Sequence, residues 1–346
     1  MFLLISKVKQ KLSGWVQEGS RENIFGGIDR MKKLKILYFT QDKTHSLIKD
    51  SEYFKDELKR RSDVDIRFIE KGGHIKEIMK ELSFTPDFIY IDHYIDYRVN
   101  QEYLYGLKSV NIPKGVLICD LHHGNRFHFR KFVNHFQVDL VFSHYRDAFR
   151  HRYPDFLDKF RWLPLCINQE IYKDYRLPKT INYLVMGHIS PRIYKLRNKI
   201  VHEMKDVHGF HYYEHPGYRD FSEEEGAIIG DRYAMKINSA KMFFTDDSVF
   251  KYPIGKYFEV PACKTLLLAP GSPELRDLGF INGETFVEIN DQNFLKKALS
   301  YIGDQDEMNR ITKNAYEMVR SRHTHEIRAG EFVKYVRDYL IKTQRW

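Results

Sequence analysis

Three cysteines, Cys119, Cys166 and Cys263, stand far apart, odd in number and embedded in apolar runs. That scarcity excludes a disulfide scaffold or a cysteine zinc site and fits buried thiols in a reducing compartment. No Pro- or Ser-rich tract, low-complexity segment or internal repeat interrupts the chain, and 42% of its residues are hydrophobic, so disorder is excluded as well. No apolar run approaches the ~20 residues of a membrane-spanning helix, and the four residues Phe2 to Ile5 fall short of a signal-peptide core. The expected location is the cytoplasm. In "MFLLISKVKQKLSGWVQEGS", Ile5, Val8, Leu12, Trp15 and Val16 recur at helical spacing with Lys7, Lys9 and Lys11 between them. The pattern predicts an amphipathic helix, docked on its own protein or lying on the cytoplasmic face of a membrane.

What is present begins with length. At 346 residues the chain exceeds one comfortable hydrophobic core, which predicts two domains and a cleft between them. Basic residues outnumber acidic ones 56 to 47, for a net charge of +9, so anionic partners are electrostatically favoured. Nucleic acid is not among the expected partners. "RFHFRKFVNHF" interleaves aromatic and basic residues, but no RNP-type strand or recognition motif accompanies it, and a solvated helix face explains the charge.

From Leu34 onward, "LKILYFT", "VDIRFI", "FIYID", "VLICD" and "DLVFS" read as buried strands alternating with segments of helical period. After the proline-bearing passage "RWLPLCINQEIYKDYRLPKT" the alternation restarts with "INYLVMG", "KMFFT", "TLLLA" and "TFVEI". "DQNFLKKALSYIG" predicts a helix capped by Asp291 and stopped at Gly303. The predicted fold class is α/β, with two Rossmann-like, doubly wound parallel-sheet domains facing a cleft. The predicted divisions are an N-terminal helical extension (1–30), a first domain (31–170), a second domain (171–330) and a last helix (331–346) packing back on the first domain. Ligands of such sheets bind beyond the carboxyl ends of the strands.

At those ends the first domain places Asp120, His122 and His123 after "VLIC", and Asp92 and His93 after "FIYI". A histidine beside a carboxylate can move a proton near neutral pH or donate a hydrogen bond to a substrate oxygen. The second domain opens with "VMGHISPRIYKLRNKI", where Gly187 permits close backbone approach and a helix predicted to begin near Pro191 or Arg192 offers its N–H groups to a phosphate. Arg192, Lys195 and Arg197 in this stretch predict a diphosphate site, the charge of a leaving group being spread over several donors. No G-x-G-x-x-G or P-loop is present. Neither "HTH" at His323 to His325 nor "TDDS" at Thr245 to Ser248 supplies three metal ligands at fixed spacing, so no metal is predicted.

In "KYPIGKYFEVPACKTLLLAP", Glu259 falls in a helix predicted from about Gly255 to Cys263, with Lys256 at its amino end and Tyr257 beside it as a further cleft contact. A carboxylate there suits ribose hydroxyls better than phosphate.

"FEVPACKTLLLA" resembles the "EAMACG" helix and following strand of group 1 glycosyltransferases with two Rossmann-like lobes, the GT-B architecture. "ICDLHHG", "DLVFSHYRDAF", "RWLPLCINQEIY" and "YKLR" resemble the branch typified by CgeB-like spore-maturation proteins. The resemblance runs from about Leu117 to Ala329. It implies transfer of a sugar from a nucleotide-diphosphate donor, UDP- or GDP-linked, to a saccharide or lipid-linked hydroxyl, with retention, without a metal or other cofactor, in surface polysaccharide or glycoconjugate synthesis. Glu259 would hold the ribose; Gly187, Arg192, Lys195, Arg197 and Lys256 the diphosphate; His122 and Asp120 would be catalytic; His93, His123 and Tyr257 would line the sugar and acceptor cleft. The family's first glutamate, eight residues before the second, is Lys251 here. That departure leaves a catalytically inactive nucleotide-sugar sensor of the same fold as the alternative.

Overall fold

The computed structural model describes residues 32–92, 98–99, 102–123, 128–222 and 225–346. The predicted N-terminal amphipathic helix and His93 lie outside them. No helix among the described residues is long and apolar enough to cross a membrane.

The first half runs β1 (Leu34–Phe39), α1 (Asp50–Arg60), β2 (Val64–Ile69), β3 (Gly73–His74), α2 (Ile75–Glu81), β4 (Phe88–Ile91), β5 (Arg98–Val99), β6 (Glu102–Tyr105), β7 (Lys114–Leu117), α3 (Phe129–His135), β8 (Leu140–Ser143), α4 (Arg146–Arg152) and β9 (Phe160–Trp162). The second runs β10 (Ile181–Met186), α5 (Lys195–Met204), β11 (Phe210–Tyr213), α6 (Gly230–Asn238), β12 (Ala240–Phe244), α7 (Lys256–Ala262), β13 (Leu266–Ala269), α8 (Pro273–Asp277), β14 (Val287–Glu288), α9 (Phe294–Ile302), α10 (Gln305–Arg322) and α11 (His325–Lys342).

Two parallel sheets result, ordered β2-β1-β4-β7-β8-β9 and β11-β10-β12-β13-β14; β3, β6 and β5 form a small separate sheet. The central strands β4, β7, β8 and β13 bury every residue, as strands covered by helices on both faces must. Strand order reverses between β1 and β4 and again between β10 and β12. Each reversal opens a crevice beyond the strand ends.

Two edge strands were not legible. β9 and β11 are short and half-buried, and "FRW" and "FHYY" carry polar residues that break the apolar run. The helix predicted to start at Asp291 starts instead at Phe294 with Asn293 at its cap, because the Asn290 side chain accepts from the N–H groups of Gln292 and Asn293, both at 3.0 Å, and turns that stretch into a loop.

The last helix, α11, belongs by packing to the first sheet. Ala329, Phe332, Val333, Val336 and Leu340 share one apolar cluster with Leu34, Ile36, Phe88 and Phe142. The Phe332 ring lies 4.7 Å from Tyr90 and 5.2 Å from Phe142, and Arg337 pairs with Asp63 at 2.8 Å.

The lobes also touch along their cleft. Phe250 and Tyr252, from the loop before α7, stack on His122 (4.1 Å) and Tyr145 (3.9 Å) of the first lobe. Phe221 donates its N–H to the His45 carbonyl at 2.9 Å, joining two loops across the cleft. At the junction Glu274 of α8 accepts from the backbone N–H groups of Arg146 (2.5 Å) and Asp147 (3.0 Å), capping α4, which has no side-chain cap of its own.

Candidate active site

The second sheet's crevice is built on Gly187, the residue after β10. Its φ is +118°, a left-handed conformation that favours glycine, and an added Cβ would lie 3.4 Å from both Arg197 Nη1 and Lys256 Nζ. The bare backbone thus brings two cations onto one spot.

Arg197 is only 2% exposed. It falls three and seven residues before Ile200 and Met204, the other buried positions of α5, so helical periodicity turns it inward. Nη1 donates to the His188 carbonyl at 2.8 Å and Nη2 to Thr245 Oγ1 at 3.1 Å, while the face of the guanidinium lies 4.2 Å from the Tyr194 ring. Its Nε is buried with no partner. Among the described residues no carboxylate comes within ion-pairing distance of the guanidinium, and Asp246 Oδ2 instead accepts from the Arg197 backbone N–H at 3.1 Å. Burial pushes its pKa down.

Lys256, half-buried at the first turn of α7, likewise lacks a carboxylate within ion-pairing distance among the described residues. Enclosure by protein lowers its ammonium to about 8, the Arg197 charge adds to the effect, and Glu259 opposes it. Two neighbouring cations with no carboxylate in ion-pairing reach among the described residues gain on admitting an anion.

One turn further along α7, Glu259 Oε2 accepts from the Tyr233 hydroxyl at 3.1 Å, and burial raises its pKa against the pull of Lys256. α7 agrees with the predicted helix to within a residue at each end, with Gly255 and Cys263 as its caps. A crevice with cations at one end and a hydroxyl-accepting carboxylate one turn away can grip a phosphorylated sugar at both of its functional groups.

Facing this from the first lobe, Asp120 and His123 are exposed and His122 half-buried in the turn after β7. The His122 ring is stacked on Phe250 and lies 4.1 Å from His123, with Nδ1 buried and unpartnered. Burial, and next His123, lower its pKa, so it stands neutral, able to accept a proton.

A family model described as "Glycosyl transferase-like" matches residues 192–334, the stretch holding Arg197, Lys256 and Glu259. No curated protein matches the chain. Among solved structures, sucrose-phosphate synthase from Thermosynechococcus elongatus superposes with a TM-score of 0.63 at 14% identity, covering 90% of this chain and 100% of that one. HepE from Anabaena, in complex with UDP and glucose, gives 0.56 at 11% identity over 88% and 99% of the two chains. A putative UDP-N-acetylglucosamine 2-epimerase from Listeria monocytogenes gives 0.53 at 13% identity over 90% and 98%. The fold is GT-B.

Within the GT-B cleft, the predicted site residues divide. Gly187, Arg197, Lys256 and Glu259 come together; Asp120, His122 and His123 face the cleft from the other lobe. Arg192 and Lys195 are exposed and do not join Arg197, because α5 starts at Lys195 and residues 191–193 form a turn before it. Tyr257 is fully buried and donates its hydroxyl to the Pro270 carbonyl at 2.7 Å, so it belongs to the second core and not to the cleft. Lys251 points to solvent from a residue with φ of +57° and pairs with Asp247 at 3.3 Å. Tyr194, Tyr218, Tyr233 and His215 were missed. His215, 4.5 Å from the Tyr218 ring, has its pKa lowered by burial and then by Lys256, His188 and Arg197, which puts it in the same cationic field. The available signal was "EHPGY" at the end of β11, hidden because that strand was not read.

Proposed function

We propose that the protein transfers a sugar from a nucleoside-diphosphate donor, UDP-linked in the first instance, to an acceptor hydroxyl in the synthesis of a surface polysaccharide or glycoconjugate. The observation that carries this reading is the un-neutralised Arg197–Lys256 pair at Gly187, with Glu259 one turn beyond it. UDP is favoured because HepE, of the same fold, was crystallised with UDP and glucose.

In this mechanism Arg197 and Lys256 bind the diphosphate, and Glu259 accepts the ribose hydroxyls. The acceptor oxygen bonds to the anomeric carbon as the bond from that carbon to the β-phosphate oxygen breaks, its electron pair leaving with the diphosphate. The two cations are placed where that negative charge grows, so they stabilise the transition state more than the ground state. No metal is needed for that charge. Under retention, the departing phosphate oxygen takes the acceptor proton on the same face of the sugar. Asp120 and neutral His122 then orient the sugar and acceptor from the first lobe.

The test is ³¹P and ¹H NMR of UDP- and GDP-sugars incubated with the protein, alone and with a set of saccharide acceptors. A transferase releases nucleoside diphosphate at a rate that rises with acceptor, and the new anomeric signal reports retention or inversion. Isomerised donor without diphosphate release would replace this reading with an epimerase. Bound but unchanged donor would replace it with a sensor.

A further inference from the structure

Glu259 does not stand by itself in the crevice, because a tyrosine from the neighbouring helix governs how it is held. α6 buries Ala234, Ile237 and Asn238, and Tyr233 falls one turn before Ile237, on the same inward face. Asn238 is fully buried and donates from Nδ2 to the carbonyl of Cys263, the cap of α7, at 2.8 Å. That bond fixes the two helices against each other at their carboxyl ends, and with them the Tyr233 ring against the opening turn of α7.

Tyr233 meets both Glu259 and Lys256. Its hydroxyl donates to Glu259 Oε2 at 3.1 Å, and its ring lies 5.9 Å from Lys256 Nζ. The other oxygen, Oε1, is turned toward Gly255: a Cβ there would lie 3.0 Å from Oε1 and 4.0 Å from Oε2. Gly255 has φ of −48° and ψ of −35°, which any residue adopts, so its missing side chain serves space and not backbone conformation. The carboxylate is set in one orientation by a donor on one oxygen and by bare backbone beside the other. Burial raises the pKa of Glu259. Lys256, and then the hydroxyls of Tyr233 and the half-buried Tyr172, oppose that and favour the ionised form, which accepts hydrogen bonds and donates none.

We propose that Tyr233 is the positioning residue of ribose recognition: it occupies Oε2 of Glu259 and so presents Oε1 to a ribose hydroxyl. This rests on the nucleotide reading of Glu259. A carboxylate left to turn on its own side chain would lose part of that bond to the cost of ordering it, whereas one already held does not. The Tyr233 hydroxyl is thereby a specificity element that acts through Glu259, since a site built to accept a hydroxyl rejects the analogue that lacks it.

The test is calorimetric titration of the full chain with UDP and with 2′,3′-dideoxy-UDP, read as the ratio of the two affinities. The parent is expected to prefer UDP at least ~10-fold, the scale of a hydrogen bond to a charged group. Tyr233→Phe keeps the ring beside Lys256 and removes the hydroxyl. Its preference is expected to fall to about threefold or less through weaker UDP binding, with the affinity for the dideoxy analogue kept. Gly255→Ala crowds Oε1 from the other side in a backbone conformation that alanine adopts freely, and is expected to lower the same ratio while the melting temperature stays close to the parent's. A parent-like ratio in Tyr233→Phe would overturn the assignment, as would an equal loss for both nucleotides, the mark of a purely structural residue. Should Tyr233→Phe fail to fold, the ratio in Gly255→Ala decides. A parent that binds both nucleotides alike removes Glu259 from the ribose, and with it this role of Tyr233. One that binds neither overturns the nucleotide reading itself, and both results are seen before any variant is made.

Discussion

Lys256→Met is expected to weaken nucleoside-diphosphate binding about a hundredfold near neutral pH while leaving the melting temperature close to the parent's. A charge-assisted hydrogen bond in a partly enclosed site contributes about 1.5–3 kcal/mol, and the factor of a hundred corresponds to about 2.7 kcal/mol. Stability changes little because Lys256 makes no ion pair among the described residues, its neighbour Arg197 is a like charge, and its side chain is half-buried. The same residue sets a pH dependence. Enclosure and the Arg197 charge lower the ammonium of the ligand-free protein to about 8, and a bound diphosphate would favour the protonated form. Affinity is therefore full below that value and falls as pH rises through it, by up to ~10-fold per unit until the higher pKa of the bound state is reached. Calorimetric titration with UDP between pH 6.5 and 9.5, in parent and variant, reads both effects. A parent affinity that rises above pH 8, or a variant that binds like the parent, contradicts the placement of the diphosphate.

The second large effect falls on stability. Glu274→Ala is expected to lower the unfolding midpoint by roughly 4–8 °C, because it strips both acceptors from the amino end of α4 and leaves the half-buried N–H groups of Arg146 and Asp147 unpaired. Each orphaned donor costs about 1–3 kcal/mol, and in a chain of this size one kcal/mol moves the midpoint by about 2 °C. The partial ion pair of Arg146 with Asp277 persists and limits the loss. Since Glu274 belongs to α8 and its partners to α4, the variant also loosens the junction of the lobes, and the single transition should broaden or split. Glu274→Gln keeps one oxygen acceptor and should lose less than half as much. Differential scanning calorimetry measures both. An unchanged midpoint in Glu274→Ala would show that this cap does not hold the lobes together.

How far the sequence foretold these residues follows from what periodicity can report. α7 and Glu259 were legible because a short helix runs between Gly255 and a buried strand whose apolar residues are continuous. Arg197 was legible as a cation but not as the one that matters, since Arg192 and Lys195 have the same chemistry. Its spacing from Ile200 and Met204 held the answer, and the start of α5 had to be set correctly to use it. Tyr257 shows the reverse error: proximity in sequence to Lys256 placed it in the cleft, whereas the turn of the helix sends it into the core. Glu274 could not be read at all. Its partners, the N–H groups of Arg146 and Asp147, are brought by another element, and no local pattern records a contact made across two lobes.

Central to the proposed function is binding of a nucleoside diphosphate in the Gly187 crevice through Arg197, Lys256 and Glu259. The most direct test is thermal unfolding of the full chain against UDP, GDP, ADP, CDP and TDP, with uridine as the phosphate-free control. A ligand at ~100 times its dissociation constant adds about 2.7 kcal/mol, which shifts the midpoint by several degrees. Such a shift is expected with UDP, none with uridine at the same concentration, and the UDP shift is expected to be lost in Lys256→Met and Glu259→Gln. No shift with any nucleoside diphosphate, or a UDP shift that survives in both variants, would contradict it.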